Sequence, residues 1–98
     1  MARTYDFDTE VGSYFFLERV IDNDDTYAAY EMTVQVVKVT EKAIQVKCGD
    51  SNIKVWFPKA ALKVTAQTNV VYAATIKDWF EVSEWYIKAE QKYAKRTM

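Results

Sequence analysis

Two hydrophobic periods run along this chain. Between residues 33 and 57 apolar and polar positions alternate. TVQVVKV (33–39), AIQVKC (43–48) and NIKVWF (52–57) are rich in β-branched residues and separated by short polar breaks, the pattern of an antiparallel meander. Ile44, Val46 and Cys48 share one face of the second segment, and Ile53, Val55 and Phe57 share one face of the third. Both sets are buried together only if 48 pairs with 53 and 46 with 55, because a one-residue slip sends a whole set to water. This register leaves Gly49-Asp50-Ser51-Asn52 as a four-residue loop. On the opposite face it sets Gln45 beside Trp56 and Lys47 beside Lys54.

From about Lys77 the period lengthens. Trp79, Val82, Tyr86, Ala89 and Tyr93 recur at spacings of three and four, with Phe80, Ile87 and Ala94 widening the stripe. That predicts a helix of about 18 residues with the stripe in the core. Asp78, Glu81 and Glu84 lie towards its start and Lys88, Lys92, Lys95 and Arg96 towards its end, as the macrodipole favours. Between the two regions, Pro58 ends the third strand and residues 59–62 read as a single helical turn plugging one end of a barrel. Residues 63–69 read as a loop and 70–76 as a strand. Upstream, 14–21 read as a buried strand crowded with aromatic and β-branched residues, although Tyr14, Leu17 and Ile21 also fit a helical spacing. Asp22 to Thr26 is a polar loop. The expected architecture is mainly β: a small, curved, antiparallel half-open barrel of four to five strands, closed by a C-terminal amphipathic helix. It forms one domain, with an acidic tail (1–11), a β-rich barrel (12–76) and the helix (77–96).

Charge adds an asymmetry. The 98 residues carry a formal net charge of −1, but residues 1–31 hold eight acidic and two basic side chains, whereas residues 32–98 hold eleven basic and six acidic ones. A −6 segment is joined to a +5 segment. Either the two neutralise each other in the fold, or a partner meets a basic or an acidic surface.

Composition removes most catalytic plans. The chain has no His, one Cys and two Gly, so His-based acid–base or nucleophilic catalysis and His-containing zinc sites are excluded. Gly12 and Gly49 cannot build a phosphate-cradling loop. Lone Cys48 forms no internal disulfide, as expected of a reducing cytosol, and reads as a small inward core residue. Asp22 to Thr26 has the flavour of a calcium loop, but Tyr27 stands where the tight-turn Gly belongs and Thr33 where the bidentate Glu belongs. The carboxylates that come close enough in sequence to act as pairs fall in a tail and a polar loop, which offer no burial to tune them. The chain therefore reads as non-enzymatic, without cofactor or metal. No run approaches the roughly 18 apolar residues of a membrane span, and the first ten residues lack a signal peptide's apolar run. A cytoplasmic protein with no membrane partner is expected.

Two surfaces carry binding chemistry. Gln45, Lys47, Lys54 and Trp56, with Lys42 and Lys59 near the ends of the hairpin, combine cations for phosphates with an aromatic plane for a base, the ingredients of a single-stranded nucleic-acid site. The competing reading buries Trp56 under the helix or the N-terminal zone while the lysines reach to water. On the helix, Trp85 at one edge of the apolar stripe lies near Lys88 and Lys92, a candidate partner-binding surface whose plainer reading is a solvated helix face.

The stretch VVKVTEKAIQVKCGDSNIKVWFPKAAL (36–62), followed by IKDWF (76–80), resembles a family of small bacterial and phage proteins. In that family a TEKA-(I/V)-V hairpin leads into VW-(I/F/V)-PKS, and a later (I/L)-x-x-W-(F/L) opens a helix. Ala60 stands where the family has Ser, and residues 1–31 have no counterpart. The resemblance implies a phage or mobile-element origin near DNA-metabolism genes and brings no site residues with it. The expected function is a non-enzymatic accessory module that binds single-stranded nucleic acid through the Lys/Trp hairpin face. The alternative is a protein-interaction module, such as a small phage-encoded inhibitor of a host or defence enzyme. A homo-oligomer formed through an unpaired sheet edge is a third reading.

Overall fold

Strands β1 (Tyr14–Asp22), β2 (Tyr27–Val39), β3 (Ala43–Cys48) and β4 (Lys54–Pro58) follow one another as antiparallel neighbours. A 3-10 turn (Lys59–Ala61) leads to β5 (Leu62–Gln67), β6 (Val71–Ile76), helix α1 (Glu84–Tyr93) and the two-residue strand β7 (Lys95–Arg96). The computed structural model describes residues 9–22, 25–67 and 71–96, and among these the strands form one seven-stranded sheet in the order β4-β3-β2-β1-β6-β5, with β7 added to β2.

The expected four to five strands are thus seven, and the sheet is mixed because β6 runs parallel to β1. It is also not closed into a barrel, since no ladder among the described residues joins β4 to β5. It is nonetheless strongly curled. In a flat sheet the two edge strands would lie roughly 24 Å apart, yet only three residues separate Pro58 from Leu62, a reach of about 14 Å. The chain therefore passes from one edge of the sheet to the other through the 3-10 turn. That turn is held on both flanks, Lys59 N–H donating to Lys42 C=O and Lys77 N–H to Ala61 C=O, each at 2.8 Å.

The β3–β4 hairpin has the register required by its alternation: Val46 opposite Val55, Gln45 opposite Trp56, Lys47 opposite Lys54. Cys48 N–H donates to Ile53 C=O at 3.0 Å and closes the loop. Gly49 has φ +55°, and a Cβ there would lie 2.7 Å from Cγ of Tyr93. Glycine is required both by the left-handed backbone and by the ring packed on it. Residues 63–67, expected as loop, are strand β5 instead. Leu62, Val64 and Ala66 alternate there with Lys63, Thr65 and Gln67, but the apolar run is short and ends in small, exposed Ala66, so its signal is weak beside the polar residues that follow. Residues 68 and 69 of that expected loop, residues 1–8 of the acidic tail, and Asn23 and Asp24 lie outside the described residues.

Inward-facing Phe15, Leu17, Met32, Val34, Val36, Ile44, Val46, Cys48, Val55 and Phe57 meet Tyr86 and Ala89 of α1 across the concave face. Tyr86 is fully buried, its ring edge-on to Phe57 at 5.3 Å. The helix is shorter than its apolar period implies. Ser83 is the N-cap, its hydroxyl accepting from Tyr86 N–H at 3.2 Å, so the chain before it has already left helical geometry. Phe80 and Val82 still pack on the core from this non-helical segment, but Trp79, expected in the core, is 64% exposed. On the β1 side, Arg19 Nε donates to Glu90 Oε2 at 2.8 Å and Arg19 Nη2 to Glu90 Oε1, a forked ion pair that ties α1 to the sheet.

Burial pushes the Cys48 thiol up to about 11 and holds the Tyr86 phenol well above its ordinary value. Both ionise more readily in the unfolded chain, so unfolding releases protons above pH 9 and stability falls with rising pH. Chemical denaturation at pH 8 and pH 11 should differ by about 2 kcal/mol from Cys48 alone. Cys48→Ala should flatten the first part of that decline; an equal decline in the variant would contradict a buried thiol.

Candidate nucleic-acid interface

The face of the sheet turned away from α1 carries the predicted hairpin residues. Alternation puts Tyr14 and Phe16 of β1, Thr33 and Gln35 of β2, Gln45 and Lys47 of β3, and Lys54 and Trp56 of β4 on this side. Cross-strand pairing then sorts them into rows. Tyr14, Gln35, Lys47 and Lys54 form one row across four strands, and Phe16 and Thr33 lie in the row beside it. Lys38, Gln45 and Trp56 form the row on the other side.

Lys38 owes its place there to a bulge. Register shifts between Val36 and Lys38, so that Val36 opposes Val46 but Lys38 opposes Gln45. A regular strand would have brought Val37 opposite Gln45 and turned Lys38 inward. The extra residue instead delivers a cation to the row that ends in Trp56. The doublet Val36-Val37 before a lysine, which breaks the alternation, is the sequence signal for it. Tyr14, Phe16 and Gln35 were also missed, because their exposure depends on which strand lies next to which.

Trp56 is 43% exposed and helix α1 lies on the opposite side of the sheet, so the helix does not cover it. Of the other candidates, Lys42 is exposed in the turn before β3, whereas Lys59 is 92% buried in the 3-10 turn and is not part of the face. Glu18 and Glu31, opposite each other on β1 and β2, bound the basic area on its far side. The geometry gives three aromatic rings and three lysines on one surface, with two amide side chains between them. Such a surface can neutralise phosphates at several points and stack unpaired bases beside them.

Trp85 and Lys88 lie together on the solvent side of α1, apart from this face, whereas Lys92, two turns on from Trp85, stands over the Tyr93 ring at the end of the helix. Trp85 is 61% exposed, and Lys88 Nζ stands 5.0 Å from its ring centroid, an intramolecular cation–π contact that occupies one side of the indole. Among the described residues no three Cys, Asp or Glu side chains converge as a metal site, and no helix is long and apolar enough to cross a membrane. Comparison of the chain with protein-family models, curated proteins and solved structures finds no match.

Proposed function

We propose that the chain is a non-enzymatic accessory module, of phage or mobile-element type, that binds single-stranded nucleic acid in the cytosol across the outer face of β1–β4. The observation that carries this reading is the juxtaposition of Trp56 with Lys38, Lys47 and Lys54, joined through Gln45 and Gln35 to Tyr14. Side chains on strands of a curled sheet present rings and cations at fixed spacing, as the half-open barrels that bind oligonucleotides do. The resemblance of residues 36–62 to small phage proteins points the same way.

Fluorescence anisotropy with a labelled oligonucleotide tests it. Three lysines on phosphates give a salt slope of log affinity near −2, and Lys54→Ala should reduce it by about 0.7. Trp56→Ala should weaken binding by about 5- to 150-fold, the loss of one stacked base. No binding at low salt, or binding indifferent to both substitutions, contradicts the reading. Exposed Trp79 and Trp85 favour the second reading, a protein-interaction module. Oligonucleotide binding lost in Trp85→Ala but kept in Trp56→Ala would move the interface to the helix.

A further inference from the structure

Where β3 ends, the outer face is indented by a cavity of about 340 Å³, lined by Tyr14, Thr33, Gln35, Lys47, Asp50 and Tyr93, with Val34 and Gly49 completing the wall. This volume is at the lower end of the roughly 300–1,000 Å³ typical of small-ligand sites. The cavity continues the proposed strand-binding face, since Tyr14, Gln35 and Lys47 are three members of the row that ends in Lys54. Resting on that reading, we propose that the cavity receives one unpaired guanine base of the bound strand.

Each wall has its own role. The rings of Tyr14 and Tyr93 supply planar apolar surface from β1 and from the end of α1. Tyr93 is held in place by its packing on Gly49, and Lys92 Nζ lies 5.5 Å from its ring centroid, so a further cation stands beside this wall for a neighbouring phosphate. Gly49 N–H donates to Thr33 C=O at 3.0 Å, anchoring the turn to β2 and fixing where Asp50 begins. Gln35 is anchored through its nitrogen, Nε2 donating to Gly12 C=O at 3.4 Å, so its oxygen is the atom left to accept.

The choice of base follows from Asp50. A carboxylate on a face that binds phosphates repels every strand, and it is repaid only by a ligand that donates to it. Guanine is the one common base with two adjacent N–H donors, N1–H and N2–H, which a single carboxylate accepts as a pair. In adenine and cytosine the exocyclic amine lies next to an acceptor nitrogen, and in thymine or uracil one N–H lies between two carbonyls, so each turns an acceptor towards Asp50. Lys47 complements the other edge of guanine, whose O6 and N7 are acceptors.

The test compares all-dT oligonucleotides of about ten nucleotides with the same strands carrying one central dG, dA or dC, and the corresponding ribo-oligonucleotides with one guanosine. Wild-type protein should prefer the strand with a single guanine by about tenfold, in at least one of the two sugar types. Asp50→Asn should abolish that preference without weakening binding of the all-dT strand, because it removes a repulsive charge. Trp56→Ala should weaken all strands and leave the preference intact. Equal affinity for all four bases, or a guanine preference that survives in Asp50→Asn, overturns the guanine site while strand binding itself stands. Absence of binding to every strand removes both.

Discussion

Tyr86→Ala should cost the fold about 3–5 kcal/mol, a large part of the stability of a small domain, whereas Tyr86→Phe should be neutral or stabilising. Tyr86 is the largest fully buried side chain, and its ring fills the space between α1 and the concave face of the sheet, edge-on to Phe57. Phe57 in turn contacts Phe80 at 5.5 Å, so truncation opens a cavity within an aromatic cluster. Its hydroxyl contributes differently. It is buried and has no hydrogen-bond partner among the described residues, and a polar group in that position costs about 1–3 kcal/mol of desolvation. Removing it while keeping the ring should hold or raise the melting temperature, which changes by roughly 4–8 °C per kcal/mol in a domain of this size. A melting temperature that falls steeply in Tyr86→Phe would show that the hydroxyl makes a bond that stabilises the fold.

Glu90→Ala should be the next most damaging change, at about 3 kcal/mol, because it leaves Arg19 partly buried without its counter-ion. Glu90 has 5% and Arg19 21% of the side chain exposed, and the two ends of the pair are 71 residues apart in the chain. The forked contact joins the last structural element to the first. The hydrogen bond to Glu90 holds the Arg19 guanidinium above its ordinary value, so raising the pH through the working range does not discharge this side of the pair. Replacing both residues by leucine should be far milder than either alanine substitution, since well-packed apolar pairs often match buried ion pairs. Urea denaturation of the two single variants and the double variant checks this; additive losses would show that the residues act independently. In the single variants the loss falls first on α1, and with it on Tyr93 and on Lys95–Arg96, which pair with Tyr30–Glu31 of β2. The cavity beside Tyr14 depends on this docking.

What could be read in advance divides along physical lines. The β3–β4 hairpin was legible down to its pairing because two faces of opposite character meet there, and only one register buries Ile44, Val46 and Cys48 together with Val55 and Phe57. Position of the 3-10 turn after Pro58 and the inward Cys48 were legible for similarly local reasons. Strand β5 was not, because only Leu62 and Val64 of its alternation reach the core and the rest of this edge strand is exposed and polar or small, as a loop would be. The start of the helix was misread because Trp79 and Phe80 continue the apolar period through a segment whose backbone turns before Ser83. Order of strands is non-local, so neither the parallel β1–β6 pairing nor the approach of Tyr14 to Lys47 is written in any one stretch. Of the proposed site, the chemistry of Lys47, Lys54 and Trp56 was visible in the alternation, whereas Lys38 needed a bulge and the Tyr14–Tyr93 cavity needed the whole fold.

All three tryptophans are exposed, but on different surfaces: Trp56 on the outer face of the sheet, Trp85 on the helix and Trp79 in the turn before it. Their indole N–H signals therefore report separately on the competing interfaces. In an NMR titration of the full chain with an all-dT oligonucleotide at low salt, the Trp56 indole and the amides of Lys47 and Lys54 should shift progressively, while the indoles of Trp79 and Trp85 stay in place. Shifts confined to Trp79 or Trp85, or no shift anywhere, would contradict strand binding on the outer face of β1–β4.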